Sequence, residues 1–279
     1  MVMVVFGARG SVGRHVAAGL LAAGEHVRVT SRDPGKGGFP ASAEVVAADL
    51  ERPETLPAAL EGATKVFVYA IPDGVAGFVE AARSAGVRQV VLLSSAAVVI
   101  EGFERNPIAV QHQVVETAVE ESGLDWTFIR PGMFATNTLW WWQAAIRGGG
   151  VVRLPYPEAE TAPIHEKDLA ALAVTALTEP GHERRAYTVY GAESLTLRRQ
   201  VEHIGEAIGR PVTVEVVSEA QAREEMGRTT PAVGVEVIMK QWADRDGVPA
   251  ETSTVVEKVT GRPARTFAEW AVDHADDFR

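Results

Sequence analysis

The fold of this chain is decided by residues 2–13, which read VMVVFGARGSVG. The first five residues form an apolar run rich in β-branched side chains, which is typical of a strand buried in a parallel sheet. Gly7, Gly10 and Gly13 then allow a tight turn, a close approach of backbone N–H groups to a ligand, and close packing of a helix on the strand. We predict that this helix runs from about Gly10 to Ala23.

A glycine turn of this kind suits a pyrophosphate, because the amino-terminal end of the following helix carries the positive end of the helix dipole. The alternative is a plain turn between a strand and a helix. The buried strand before the turn and the Ala/Leu-rich helix after it favour a dinucleotide. The expected contacts are Gly7, Arg9, Gly10, Ser11, Val12 and Gly13.

The composition limits the classes of protein to consider. A chain of 279 residues can bury a full α/β core, and 46% hydrophobic with 23% charged residues is ordinary for a globular protein. The lack of cysteine excludes disulfides and thiolate catalysis and fits a cytoplasmic location. The net charge of −10 disfavours nucleic acid as a partner. We expect no membrane span, no signal peptide before the first strand and no metal site.

Apolar runs alternate with alanine-rich segments through the first half of the chain. We predict further strands at 26–30, 43–47, 65–70, 89–94 and 124–131, with helices of ten or more residues between them, for example at 75–85 and 108–122. This alternation predicts right-handed βαβ units and a doubly wound parallel sheet, which is the α/β Rossmann fold class.

The regular alternation fades after Pro131. Three consecutive glycines, 148–150, suggest a division into a Rossmann domain at 1–150 and a mixed segment at 151–279. The mixed segment is expected to complete the core and to form a smaller substrate-binding subdomain. Predicted elements there are a helix at 167–177, strands at 186–190 and 211–217, a helix from Thr196, and helices that begin with capping boxes at Ser218–Gln221 and Thr266–Glu269.

The end of the second strand indicates which dinucleotide is bound. An acidic residue usually holds the adenosine ribose of NAD at this place, but the sequence here is Ser31-Arg32. The Arg32 guanidinium can pair with a 2′-phosphate, and Arg9 and Lys36 are further candidate cations. We therefore predict NADP(H) rather than NAD(H). The alternative is that Arg32 is only a solvated residue at a strand end.

Residues after the other strands complete the predicted cofactor site, since ligands bind at the carboxyl edge of such sheets. Asp49 and Leu50 are expected near the adenine, although Asp49 could instead cap a helix. Ser94 and Ser95 could bind the nicotinamide ribose or a substrate oxygen, or only satisfy a loop. The remaining predicted cofactor contacts are Ala70, Ile71, Pro72, His112, Pro131 and Phe134.

Several segments together resemble the NmrA-like, atypical branch of the short-chain dehydrogenase/reductase superfamily. They are the glycine turn, residues 112–116 (HQVVE), residues 122–134 (SGLDWTFIRPGMF) with Asn137, and residues 260–267 (TGRPARTF) with Trp270. The resemblance covers essentially the whole chain and implies an NAD(P)-binding Rossmann fold. The branch includes reductases, quinone- and azo-reducing enzymes, isoflavone-reductase relatives, and redox sensors with no known catalysis.

The chain departs from the wider superfamily at the residues that usually donate the proton. Ordinary members use a Tyr-x-x-x-Lys pair, and aligning the helix that carries Glu116 places Ile108 and His112 at those two positions. Isoleucine cannot donate a proton, and isoflavone-reductase relatives keep a lysine where this chain has His112. The resemblance therefore implies hydride transfer with another proton donor.

His112 and Ser94 are the candidate catalytic residues. His112 lies one helical turn before Glu116, which could orient the imidazole or raise its pKa. An imidazole near neutrality can donate and accept a proton. The alternative is that His112 holds the nicotinamide ribose or packs in a polar pocket.

Three consecutive tryptophans, Trp140, Trp141 and Trp142, point about 100° apart on a helix, so they cannot all face one core. At least one is expected to face a cavity, an interface or solvent. The predicted substrate-binding residues are these three with Ser95, Met133, Met239 and Trp242. Together they suggest an aromatic pocket, and the alternative is core packing with one contact in a homodimer.

We therefore predict an NADPH-dependent reductase that delivers hydride to a flat carbonyl, a quinone or a conjugated double bond. A non-catalytic NADP-binding redox sensor that acts through a protein partner is the second hypothesis, supported by the missing Tyr/Lys pair. An isomerase, epimerase or lyase is the third.

Overall fold

The computed structural model describes residues 1–228 and 230–279, with the backbone alone for Phe103, and it divides them into two units. The first unit comprises residues 1–132, 166–189 and 255–263. The second unit comprises residues 133–165, 190–254 and 264–279. The sequence placed the first division near residue 150, whereas it falls after Gly132. The reason is that the helix Asn137–Gly149 buries Trp142 and Ile146 in the core of the second unit.

The first unit is built on a seven-stranded parallel sheet. Its strands are β1 (Val2–Val5), β2 (His26–Ser31), β3 (Glu44–Ala47), β4 (Ala63–Tyr69), β5 (Gln89–Leu93), β6 (Asp125–Pro131) and β9 (Arg185–Val189). They lie in the order β3-β2-β1-β4-β5-β6-β9, and every neighbouring pair is parallel. The predicted α/β Rossmann class is confirmed.

Two groups of helices pack on this sheet. The first group is α1 (Gly13–Ala22), α6 (Glu166–Thr178) and α10 (Val255–Thr260), and the second is α2 (Leu56–Leu60), α3 (Val75–Ser84) and α4 (Pro107–Glu121). Val4 and Phe6 of the opening run are buried in one core cluster with side chains from the second group.

The connection between β2 and β3 differs from the predicted alternation. Residues 32–43 contain a single 3₁₀ turn, Pro34–Lys36, where a helix of ten or more residues was expected. Gly37 and Gly38, both with positive φ, and the two prolines of this segment do not fit a continuous helix. The next helix, α2, has only five residues.

The second unit contains short strands and several helices. These are α5 (Asn137–Gly149), β7 (Val151–Leu154), β8 (Glu160–Thr161), β10 (Leu195–Thr196), α7 (Leu197–Ile208), β11 (Thr213–Val216), α8 (Glu219–Met226), α9 (Ala232–Asp244), α11 (Phe267–Asp273) and α12 (Ala275–Phe278). Both predicted capping boxes are confirmed, one before α8 and one before α11. In the described chain, no helix has both the length and the apolar character that crossing a bilayer requires.

The glycine turn after β1 packs against itself. Gly7 has a φ of +71°, and its carbonyl oxygen accepts a hydrogen bond from the Gly10 N–H at 2.8 Å. A Cβ atom placed on Gly13 would lie 2.3 Å from the Gly7 oxygen, closer than atoms can approach. The first turn of α1 can therefore rest on the glycine turn only because Gly13 has no side chain.

We expect Gly13→Ala to lower the free energy of unfolding by about 2–3 kcal/mol, because the added methyl forces α1 away from the turn. Gly148→Ala is the matched control, since Gly148 lies in a helix with nothing near its missing Cβ. It should leave stability unchanged or raise it by up to about 1 kcal/mol. Chemical denaturation of both variants measures the difference, and equal stability of Gly13→Ala and the unmodified protein would contradict the close packing.

Candidate cofactor site

The carboxyl ends of the parallel strands bring the predicted cofactor residues of the first unit to one edge. The glycine turn follows β1 at the middle of the sheet. On one side of it lie Ser31 and Arg32 after β2 and Asp49 and Leu50 after β3. On the other side lie the ends of the neighbouring strands, with Ala70, Ile71 and Pro72 after β4, Ser94 and Ser95 after β5, and Pro131 at the end of β6. The edge thus offers a continuous row of loops on both sides of the glycine turn.

Cations follow β1 and β2 at this edge of the sheet. Arg9 and Arg32 are both exposed, and neither forms an ion pair within the described chain. Lys36 differs, since its ammonium lies 3.6 Å from a carboxylate oxygen of Asp33. The Ser31 side chain is buried, and its Oγ accepts a hydrogen bond from the Asp33 N–H at 3.1 Å, which leaves the hydroxyl proton available to a ligand.

Asp49 and Leu50 have different surroundings. The Asp49 carboxylate accepts a hydrogen bond from the Glu51 N–H at 3.2 Å, within the loop after β3. It does not cap a helix, contrary to the alternative interpretation, because the next helical turn, Pro53–Thr55, begins after Arg52. Leu50 is buried and lines a small apolar pocket. The other residues that line this pocket are Val68, Tyr69, Ile71, Gly74, Val75, Phe78, Val115 and Val119.

Tyr69 is a residue that the sequence interpretation missed. It is the last residue of β4, is 38% exposed, and lies against the glycine turn. A Cβ atom on Gly7 would be 2.9 Å from Cε1 of the Tyr69 ring. Burial raises the pKa of the Tyr69 phenol, and the nearby Arg32 only partly opposes this, so the phenol stays protonated. An aromatic residue that ends the strand beside β1 is the signal that could have revealed it.

Two buried polar atoms in this unit have no protein partner among the described residues. They are Oγ of Ser94, which is 4% exposed at the end of β5, and Nδ1 of His112 on α4. A buried polar atom without a hydrogen bond is costly and calls for a specific explanation. Both atoms fit hydrogen bonds to ribose hydroxyls or to a carbonyl oxygen of a ligand, so the residues present fit a bound dinucleotide.

Ser95 behaves differently from Ser94. Its Oγ accepts a hydrogen bond from the Ala97 N–H at 3.2 Å and caps a short 3₁₀ helix, Ala96–Val99. This is the loop-satisfying role that the sequence left open as the alternative to substrate binding.

Glu116 does not bind His112, which corrects the suggested pairing. Its carboxylate is 1% exposed and accepts two hydrogen bonds from Arg130 on β6, at 2.9 Å from Nε and 2.5 Å from Nη2. A two-point contact between guanidinium and carboxylate in a buried place is the strong form of an ion pair. Glu116 therefore binds α4 to the sheet. The sequence signal for this ion pair was a glutamate on the predicted helix and an arginine on the strand that follows it.

The pKa of His112 also differs from the expectation. Burial lowers the pKa of the imidazole below its usual 6.5, and the Glu116 carboxylate only partly offsets this effect. His112 is therefore neutral at neutral pH, with one ring nitrogen able to donate and the other able to accept.

The aromatic segment belongs to the second unit. Trp140 is 78% exposed, Trp141 is partly buried, and Trp142 is buried, so the three rings do point to different surroundings. Trp142, Met239 and Trp242 lie in the hydrophobic core of this unit, and Trp141 packs edge-on against Trp242 at 5.3 Å. Their predicted place in an open pocket is corrected to core packing, because the second unit buries them on all sides.

Met133 and Phe134 begin the second unit. The Met133 carbonyl accepts a hydrogen bond from the Ile164 N–H at 2.9 Å, and Phe134 pairs with Ile164 in a short parallel bridge. Both side chains are half-buried, and their predicted ligand contacts stay predictions. Within the described residues, no cluster of histidine and acidic side chains could hold a metal ion.

We expect the His112 imidazole to titrate with a midpoint below 6.5, measured by the Cε1 proton resonance in NMR spectra. Glu116→Gln should move the midpoint lower still, because it removes the negative charge that favours the imidazolium. The resonance is assigned by its absence in His112→Gln. Since protonation is disfavoured in the folded state, stability should fall as the pH drops below 6.5, and less so in His112→Gln. A midpoint above 6.5 would contradict the burial of the ring.

Comparison with known proteins shows which family the chain belongs to. A family model described as NAD(P)H-binding matches residues 7–180. The chain is 38% identical over 282 residues to (4-alkanoyl-5-oxo-2,5-dihydrofuran-3-yl)methyl phosphate reductase of Streptomyces griseus, covering 99% of both chains. It is 37% identical over 290 residues to NAD(P)H azoreductase of Xenophilus azovorans, covering 100% of this chain and 99% of the relative.

The fold is shared with solved structures. The NADPH-dependent quinone oxidoreductase of Escherichia coli in complex with NADPH superposes with a TM-score of 0.80 at 23% identity, covering 98% of this chain and 99% of the other. Both the family match and the two full-length relatives lead to the same assignment. The chain belongs to the NAD(P)H-binding family and, within it, to the NmrA-like reductase group of atypical short-chain dehydrogenases/reductases.

Proposed function

We propose that this protein is an NADPH-dependent reductase that delivers hydride to a conjugated acceptor such as a quinone, an enone or an azo compound. The observation that carries this proposal is the pair of buried polar atoms, Ser94 Oγ and His112 Nδ1, without protein partners in the unit that bears the glycine turn. The two full-length relatives named above are reductases, which supports the same reaction class.

The cofactor is held by the first unit. The glycine turn, with Ser11 and Val12, receives the pyrophosphate, and Arg9 and Arg32 receive the 2′-phosphate, because neither is engaged by an acidic side chain of the described chain. When bound, NADPH supplies the hydride. Ser94 holds the nicotinamide end by a hydrogen bond, and His112 binds either the nicotinamide ribose or the acceptor. Leu50 with its apolar neighbours covers the adenine.

The absence of the usual proton-donating tyrosine favours a conjugated acceptor. Ile108 stands where the wider superfamily has its proton-donating tyrosine, and the neutral His112 is a weak acid at neutral pH. An isolated ketone accumulates charge on one oxygen and needs a proton donor positioned beside it. A conjugated acceptor spreads the incoming charge over several atoms, so a neutral donor suffices and the final proton can come from water. Among the predicted substrate contacts, Met133, Trp140 and Trp141 stay predictions.

The second candidate function is an NADP-binding regulator without turnover. The observation that favours it is the same replacement, Ile108 and His112 in place of the Tyr/Lys pair. Such a protein would bind the cofactor and signal through a partner.

We expect Arg32→Ala to weaken NADPH binding about 10- to 100-fold, because it removes charge-assisted hydrogen bonds to the 2′-phosphate. NADH binding should change less than about twofold, since NADH has no such phosphate. Arg83→Ala, an exposed arginine at the end of α3, is the control and should alter neither. Titration calorimetry measures both affinities, and equal losses for the two cofactors would remove Arg32 from the phosphate site.

We expect NADPH oxidation at 340 nm with at least one member of a panel of quinones, enones, azo dyes and simple aromatic ketones, with the conjugated compounds preferred.

In His112→Ala, kcat should fall by about 10²-fold with NADPH affinity nearly unchanged if His112 binds the acceptor. A loss confined to NADPH affinity assigns His112 to the ribose. Tight NADPH binding with no turnover across the panel would refute the reductase and favour the regulator.

A further inference from the structure

The loop between β2 and β3 has an unusual construction that the proposed function does not yet use. Gly37 and Gly38 both have positive φ, 64° and 81°, a backbone region that favours glycine. Nothing approaches the missing Cβ of either glycine within 4 Å, so steric crowding is not the reason for the two glycines. They lie directly before Phe39, at which the chain bends.

Phe39 lies against the glycine turn after β1. The guanidinium carbon of Arg9 lies over the Phe39 ring, 5.8 Å from its centroid, although the two residues are far apart in sequence. Arg9 is exposed and Phe39 is half-buried. At this distance the cation is attracted to the negative face of the ring, and an arginine side chain that would otherwise sample many rotamers is restricted.

The contact leaves the arginine free to bind a ligand. The attraction to the ring uses none of the five N–H donors of the guanidinium. Arg9 forms no ion pair within the described part of the chain, in contrast to Lys36, which lies beside Asp33. Arg9 is therefore an oriented cation with its donors available, at the edge of the sheet where β1 and β2 end.

We propose that Phe39 is a positioning residue that holds Arg9 ready for the 2′-phosphate of NADPH and so contributes to the choice of NADPH over NADH. The proposal rests on the cofactor preference stated above and adds a residue that does not itself touch the phosphate. Its energetic basis is preorganisation, since an arginine already restricted before binding loses less freedom when the phosphate arrives.

The test is binding of NADPH, NADH, 2′,5′-ADP and 5′-AMP by titration calorimetry to the full chain and to Phe39→Leu. We expect Phe39→Leu to weaken NADPH and 2′,5′-ADP about three- to tenfold and to leave NADH and 5′-AMP within twofold. Phe39→Tyr keeps a ring face and should restore the affinity of the 2′-phosphorylated ligands. Thermal unfolding of each variant checks that the loop change leaves the protein folded.

A double-mutant cycle separates positioning from a general effect on the loop. Arg9→Ala combined with Phe39→Leu should be no worse for 2′,5′-ADP than Arg9→Ala alone, because Phe39 acts only through Arg9. Arg32→Ala is the matched control, and its effect should add to that of Phe39→Leu. Additive effects in the Arg9 pair would overturn the proposal.

The remaining outcomes are equally decisive. Parallel losses for NADPH and NADH in Phe39→Leu would mean that Phe39 only shapes the loop, and no loss for either would mean that it has no role in binding. These readouts do not depend on turnover, so a protein that binds NADPH through Arg9 and Phe39 but reduces nothing would refute the reductase and leave the role of Phe39 intact.

Discussion

The first unit depends on one close contact, the approach of the first turn of α1 to the carbonyl oxygen of Gly7. Any side chain at Gly13 would sit 2.3 Å from that oxygen, so the contact exists only because the residue is glycine. It fixes the direction of α1 relative to β1, and with it the amino-terminal end of the helix dipole at the carboxyl edge of the sheet. The loops after β2, β4 and β5 lie at the same edge of the sheet as this end of the helix.

Most of the first unit could be predicted from the sequence because its signals are local. The apolar runs and the glycine stops are set by neighbours a few residues away, and the six predicted strands of the first half all occur in the sheet. The prediction of a helix between β2 and β3 was wrong. It extended the alternation of strands and helices found elsewhere in the first unit to a segment whose glycines and prolines disfavour a helix. These glycines and prolines of residues 32–43 could have been recognised from the sequence alone.

The candidate site was only partly predictable, because the spacing of residues along the sequence does not show which side chains form hydrogen bonds in the folded protein. Glu116 lies one turn from His112 on α4, yet its carboxylate is taken by Arg130 from the next strand. Burial then decides the charge state of the imidazole. Likewise, Trp142, Met239 and Trp242 have the composition of an aromatic pocket and the burial of a core. Sequence gives the residue types at such places, and packing chooses among the roles those types allow.

The division of the chain into interleaved segments has a consequence for how the protein is made. The first unit takes residues from 1–132, 166–189 and 255–263, so a ribosome that has released only the first half has not yet released β9 or the helices α6 and α10. During that interval β6 presents an unpaired edge, to which other strands can add. Fragments cut near residue 132 would share this exposed edge. We therefore expect aggregation to be worst for nascent chains that end between β6 and β9, and to ease once β9 has emerged.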